Sequence, residues 1–412
     1  MIKKLLVGTI GSLTMSLFSA NAIAAEKLVI NSMHSDPAPR EAFEKIVTKF
    51  KKAHPGIDVK VNTTAHEAFK IQLKTWLPNN PPDIVSWFGG NRAAYFARKG
   101  LILPIDDIWK DVGADFGDGA KSVSRVDDKY YLMPTSYYHW GFYYRKDLFK
   151  KAGITQTPKT WSEFKVSIEK LKKSGVTPIT IGAKNAWPAA AWFDFINMRV
   201  NGFQFHMDLL HGKESYQQQK VYNTMEKWKE LVDMGAYTKA FSGLSWQEGA
   251  TLLWQGKASM YLMGNFISPD IPKNLKGKIG FFPFPKIADI PQSEVAPTDV
   301  FFIPAKAKNV DNAKKFMRFL ASKEIQEEYN IAHSLLPPNN KAKTKAGDEF
   351  LEAGKKLLDN ASALGQFYDR DSEPKVAKEG MKAFLKFLKK PADYKKHLKR
   401  VEKERVRSQK GK

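Results

Sequence analysis

The residues best placed to do chemistry are aromatic, and they stand directly after apolar runs. Trp87 and Phe88 close one run ahead of Gly89-Gly90, and Asn265 with Phe266 follows another. Tyr137, Tyr138 and His139 lie within a long aromatic stretch, and Trp187 and Trp192 flank a Pro-Ala-Ala-Ala segment. The chain holds 10 Trp, 14 Tyr and 27 Phe, so most rings must build cores. Those in loops at strand carboxyl ends are the ones free to lie on a ligand. Flat rings cover apolar faces of a solute, while carboxylates, amides and histidine bond its polar groups. Gln366 to Asp371 (QFYDRD) forms a polar and aromatic knot from which Asp369 and Arg370 can reach the same solute. This is the chemistry of non-covalent capture.

Covalent chemistry fits worse. His66-Glu67-Ala68-Phe69-Lys70 begins as a zinc protease motif does, but Lys70 stands where the second His ligand is required. Ser162-Glu163-Phe164-Lys165 satisfies S-x-x-K without the S-D-N or K-T-G that should follow. There is no G-x-S-x-G, phosphate-binding Gly loop or dinucleotide fingerprint. With no cysteine, disulfides, thiolate catalysis and Cys-based metal sites are excluded. No cofactor and no metal are expected.

The elements that position these residues follow from periodicity. Residues 26–31, 57–62 and 83–87 read as strands, and the helical spacings of 39–54 and 65–77 separate them. Such repeated strand–helix–strand units imply a mainly parallel sheet flanked by helices. A second series follows. Residues 130–144 are extended, 177–182 and 258–263 are strands, and 278–284 is extended again. Thr160 and Glu163 form a capping box that opens a helix, and 216–234 and 247–255 are helical. Residues 300–303 are a strand, 311–330 a helix pair split near Ser322, and 380–388 and 393–406 the closing helices, with 408–412 frayed.

The first 25 residues begin with Lys3 and Lys4, continue as an apolar run and end in Ala20-Asn21-Ala22-Ile23-Ala24-Ala25. That is the build of a signal peptide, and the run is shorter than the roughly 20 residues a membrane anchor needs. Without a cysteine there is no lipid-modified anchor either, so the expected place is the periplasm, free in solution. The 412 residues suggest two or three domains, and 43% hydrophobic residues suffice for real cores. Lys and Arg exceed Asp and Glu by 23, and residues 371–412 carry fifteen basic against six acidic side chains. A basic balance suits nucleic acid, an anionic membrane or an anionic ligand. Here the charges are spread along helical segments without a recognition motif, so they read as a lysine-rich solvated surface, and no nucleic-acid partner is expected.

Four stretches then carry a resemblance. They are Pro81-Pro82-Asp83-Ile84-Val85, Gly141-Phe142-Tyr143-Tyr144-Arg145-Lys146-Asp147-Leu148-Phe149, Gly256-Lys257-Ala258-Ser259-Met260 with Gly264-Asn265-Phe266, and Leu335-Leu336-Pro337-Pro338-Asn339. In that order they resemble the extracellular solute-binding proteins of bacterial ABC importers, the sugar-binding family typified by maltose-binding protein. Arg145 replaces the family's usual Asn, and Ser334 stands where it has Gly. The resemblance implies an α/β fold of two lobes joined by a multi-strand hinge, with the ligand in the cleft between them. The lobes would comprise residues 26–135 with 286–340 and 136–285 with 341–412, crossing near 135–138, 282–285 and 337–345. It implies a carbohydrate ligand, delivery to permease subunits in the inner membrane, a monomer and no catalysis. It adds Asp36 (after His34 and Ser35), Glu67 and Asp299 as polar contacts. With these, the expected ligand residues are Asp36, Glu67, Trp87, Tyr138, His139, Trp187, Asn265, Phe266, Asp299 and Arg370. Two alternatives stay open: a secreted glycosidase using paired carboxylates such as Glu67 and Asp299, and a binding protein for an anionic, non-sugar ligand.

Overall fold

A computed structural model describes residues 26–410; the expected signal peptide lies outside the described residues. The strands are β1 (Glu26–Ser32), β2 (Ile57–Thr63), β3 (Ile84–Phe88), β4 (Arg125–Val126), β5 (Lys129–Tyr130), β6 (Met133–Tyr137), β7 (Trp140–Arg145), β8 (Thr177–Thr180), β9 (Ala258–Gly264), β10 (Ile279–Phe282), β11 (Glu294–Val295), β12 (Thr298–Phe302) and β13 (Leu364–Gly365). They form two principal sheets, one in the order β2-β1-β3-β12-β6 and one in the order β10-β7-β9-β8.

The sheets are more mixed than strand–helix alternation predicts. Parallel pairing joins β1 to β2 and to β3, and β8 to β9. Where the chain arrives from the other sheet it pairs antiparallel, as β12 does with β3 and β6, and β7 with β9 and β10. A strand entering from the far side runs against those fed by local crossover helices.

In the first sheet side chains alternate between two apolar layers. Ile84 and Phe301 face the helices Pro37–Ala53 and Val310–Ala321; Val85, Trp87, Val300 and Phe302 face Phe69 and Phe96 on the other side. The P-P-D stretch has a structural role here. Asp83 is buried and accepts the backbone N–H groups of Val29, Lys308 and Asn309 at 2.8, 3.0 and 2.9 Å, pinning β1 to the segment after β12. Ser334 adopts a left-handed φ of 54° after the helix Lys323–His333, a helix-ending conformation that favours glycine. Arg145 bonds the carbonyls of Leu253 and Trp254 at 3.2 and 2.9 Å, closing the helix Trp246–Trp254 onto β7.

The second sheet is covered by the helices Trp161–Lys173, Trp187–Asn201 and Trp246–Trp254, and Gln219–Asp233 and Pro374–Lys389 pack outside on Trp187–Asn201. The capping box at Thr160 and Glu163 is present, with bonds of 3.3 and 3.0 Å. The chain passes between the sheets at residues 138–139. Beyond the expected return at 282–285, Lys286 and Ala288 donate to the carbonyls of Lys159 and Arg199, Glu294 is paired with Arg199, and β11 pairs with β13. The C-terminal helix, Tyr394–Lys410, includes 408–410 of the residues expected to fray, with Ser408 Oγ donating to Glu373 at 2.9 Å; 411–412 lie outside the described residues.

Candidate functional site

The topology gathers one edge of the first sheet. β1, β2 and β3 are parallel, so their carboxyl ends lie together; antiparallel β12 begins and β6 ends at that same edge. The chain segments leaving it carry His34, Asp36, His66, Glu67, Tyr138 and Asp299. The short helix Tyr368–Asp371 is laid across them. Arg370 donates through Nη1 to Asp299 Oδ1 at 2.9 Å and through Nη2 to the Tyr138 hydroxyl at 2.7 Å, and its guanidinium lies 4.9 Å over the Phe88 ring. Asp369 lies 3.3 Å from Lys70 Nζ and 3.4 Å from Arg92 Nη1. Lys70 also donates to Glu67 at 3.3 Å, and Glu67 accepts from His66 Nδ1 at 3.1 Å.

This network fits together because Gly90, at φ 97°, lets the backbone after β3 approach Arg370. A Cβ there would lie 2.8 Å from the Arg370 carbonyl oxygen. Lys70, Arg92 and Arg370 thus face Glu67, Asp369 and Asp299. Burial pushes Asp369 up, but Lys70, Arg92 and Arg370 outweigh it and hold the carboxyl below its ordinary value. For Glu67, burial is likewise outweighed, by the His66 bond and Lys70. Burial and then Lys70 push His66 down, and burial pushes His34 down to about 4, so both imidazoles are neutral at pH 7. Three cations and three carboxylates cancel.

The second lobe brings a different material. Half-buried Trp187, Trp246 and Phe266 stand with Trp140 and Phe367 in edge-to-face and stacked contact, centroids 4.9–6.3 Å apart. Phe266 also meets Tyr138 edge-on at 5.4 Å. Trp246 opens a helix through a second capping box, Ser245 with Glu248. The next residue, Gln247, reaches across and donates to Asp36 at 3.2 Å. Burial raises Asp36, and burial followed by Asp36 raises Asp270.

Strand ends and loops of two α/β units bring charged and aromatic side chains together here, an arrangement suited to capturing a solute, and comparison with known proteins agrees. The sequence profile of the bacterial extracellular solute-binding proteins matches residues 35–327. The chain belongs to that family. Among the relatives of this solute-binding protein is an ABC transporter extracellular-binding protein of Pyrococcus horikoshii, 28% identical over 74% of this chain and 69% of its own length. The diacetylchitobiose-binding protein of Streptomyces coelicolor is 24% identical over 82% of each chain. Among solved structures, the bacterial solute receptor AcbH, described as having an exclusive preference for β-D-galactopyranose, superposes with a TM-score of 0.87. It is 28% identical and covers 92% of this chain and 98% of its own.

Of the expected contacts, the solute-binding protein brings Asp36, Glu67, Tyr138, Asp299 and Arg370 to the polar rim, and Trp187 and Phe266 to the aromatic side. Three are placed elsewhere. Trp87 is 1% exposed because strand alternation puts it on the same face as Val85, inside the apolar layer. His139 is fully buried against Phe281, and Gly354 abuts it so closely that a Cβ would fall 1.8 Å from Nδ1. Asn265 is fully buried with its amide used up: it accepts from the Tyr143 hydroxyl and donates to the Ser334 carbonyl, both at 2.6 Å. Trp192 is also core, packed on Phe142, Tyr237 and Phe284. The residues missed are Lys70, Arg92, Trp246 and Gln247. Lys70 was legible as a base three residues after Glu67, and Trp246 as the residue behind an S-x-x-E cap.

Proposed function

We propose that this protein captures an uncharged carbohydrate in the interlobe cleft and delivers it to the permease of an ABC importer. The observation that carries the reading is the pairing of a charge-balanced hydrogen-bonding rim with a cluster of half-buried rings. A sugar has the same two halves: equatorial hydroxyls that bond carboxylate and guanidinium groups, and apolar C–H faces that rings cover. The cancellation of charge favours a neutral ligand over an anionic one. The binding of β-D-galactopyranose and diacetylchitobiose by similar proteins supports the same class. A general acid of a glycosidase needs a raised pKa, whereas Glu67 is held low by His66 and Lys70, which speaks against Glu67 and Asp299 as an acid/base pair. The chain acts as an exported monomer in the periplasm, its signal peptide being residues 1–25. We place the lobes at residues 26–137 with 297–343 and 138–296 with 344–410, turning about Tyr138, Pro297 and the 343–348 segment.

The test is a thermal-shift screen with monosaccharides, chito-oligosaccharides and maltodextrins, with sugar phosphates as the anionic arm. A neutral sugar at a hundred times its dissociation constant should stabilise by about 2.7 kcal/mol. Stabilisation by anionic solutes alone, or release of cleaved product, would overturn the reading.

A further inference from the structure

Part of the basic excess is carried by two adjacent helices near the C-terminus. The helices Pro374–Lys389 and Tyr394–Lys410 pack on each other and on the second lobe through Phe384 and Phe387 from one, and Tyr394, Leu398 and Val401 from the other. Opposite these, Lys375, Lys378, Lys382, Lys386 and Lys389 recur at three- and four-residue steps, and all are exposed. Lys396, Lys399, Lys403, Arg407 and Lys410 repeat the pattern on the second helix. Exposed Lys390 and Lys395 stand at the turn between the helices, and exposed Arg400 lies one turn beyond Lys396 on the second stripe. Among the described residues, only Lys382 and Arg407 of these thirteen cations have a carboxylate within 4.0 Å, from Glu379 and Glu404. Lys386, Arg400 and Lys396 stand close enough to act together on His397, which burial first, and then these charges, push down.

We propose that this two-helix face docks on the anionic headgroups of a phospholipid bilayer. Its cations are nearly all lysines, compact hydrated charges suited to a diffuse anionic surface; bidentate capture of single phosphates calls for arginine forks. No large exposed apolar side chain stands among the stripes to wedge between lipids; Val406, the exposed one in this pair of helices, is only 37% accessible. Attachment is therefore electrostatic and reversible. Each cation within a Debye length of such a surface is worth about 1 kcal/mol, a factor of about five in partitioning. A receptor that hands its solute to a membrane transporter gains effective concentration by dwelling on the membrane.

Flotation with vesicles of equal parts phosphatidylcholine and phosphatidylglycerol, against pure phosphatidylcholine, tests the proposal on the purified chain. Wild type should float with the anionic vesicles at low salt and be released at about 1 M salt, where the Debye length is about 3 Å. The variant Lys386→Gln/Lys389→Gln/Lys396→Gln/Arg400→Gln should lose partitioning by roughly several hundredfold. The charge-matched Lys52→Gln/Lys60→Gln/Lys129→Gln/Lys239→Gln should stay within a few-fold of wild type. Unchanged melting temperatures show that both variants fold. Equal losses in the two variants would assign binding to net charge and overturn the surface; so would equal partitioning on neutral vesicles. Failure of wild type to float would send the patch to some other acidic partner and overturn the bilayer.

Discussion

The two sides of the cleft are built on opposite principles. One side contributes charge: Arg370 with Asp299 and Tyr138, and Lys70 and Arg92 with Asp369 and Glu67. The second contributes rings, with Trp187, Trp246 and Phe266 in one cluster. A charged rim fixes where hydroxyls go, because its bonds are directional and its atoms are held by one another. A ring surface supplies contact area with little directional demand. Orientation and affinity are thus assigned to different surfaces of the site, and a solute must touch both to gain both.

The comparison breaks hardest at Arg370. Its guanidinium joins Asp299, Tyr138 and the Phe88 face, with its side chain only 11% exposed. Arg370→Ala leaves a carboxylate and a phenol without their partner, which should cost about 3–5 kcal/mol of stability and abolish sugar binding. Arg370→Lys keeps the charge and loses the fork. Thermal melts and titration calorimetry should show stability largely restored in the lysine variant and affinity still weak. Full affinity in Arg370→Lys would show that the rim acts by charge alone.

Two tryptophans separate core from surface. Trp87→Ala empties a core position and should cost about 3–5 kcal/mol of stability, with affinity near normal in whatever remains folded. Trp187→Ala removes a half-buried ring and should cost about 1–3 kcal/mol of binding, roughly ten- to hundredfold in affinity, with a smaller effect on melting. If the two effects are exchanged, the ring side of the cleft has been assigned to the wrong residues.

That pair also marks how far the sequence reaches. Both tryptophans follow apolar runs, and by sequence alone they look alike. The alternation within β3 that makes Trp87 a partner of Val85 was legible, but a short run buried on both faces hides its period. His139 and Asn265 were unreadable for another reason: what buries them is Gly354 and Ser334, which arrive from far along the chain. The strand edges, the Thr160 cap and the split at Ser322 were legible because each is decided locally. Lys70 was visible only as a residue that spoils a zinc motif. Its part in the rim depends on Asp369, 299 positions later, which no local pattern announces.

A finer cut divides the rim itself. Asp299→Asn keeps shape and one acceptor while removing the charge opposite Arg370. A charge-assisted bond is worth about 1.5–3 kcal/mol, so affinity should fall by about one to two orders of magnitude with the melting temperature little changed. Calorimetry on this variant and on Glu67→Gln ranks the two carboxylates. An effect confined to Glu67 would move the ligand's hydroxyls toward the His66 end of the rim.

The smallest effect is set by pH. His66 is pushed below its ordinary 6.5, first by burial and then by Lys70, although Glu67 opposes both. A state with a lowered histidine pKa binds fewer protons than one in which the ring is free in water. The enclosed cleft is therefore favoured fully above pH 6.5 and loses ground as pH falls through that value toward the lowered pKa. Asp36, raised by burial, acts the other way, but takes its proton only nearer the ordinary carboxylate range. Sugar affinity should decline between about pH 7.5 and 5.5 by less than about tenfold. His66→Asn should flatten that decline, while Asp36→Asn should leave it in place. A His66→Asn variant with the wild-type profile would put the titrating group elsewhere, with His34, the other imidazole of the same rim, next to be replaced.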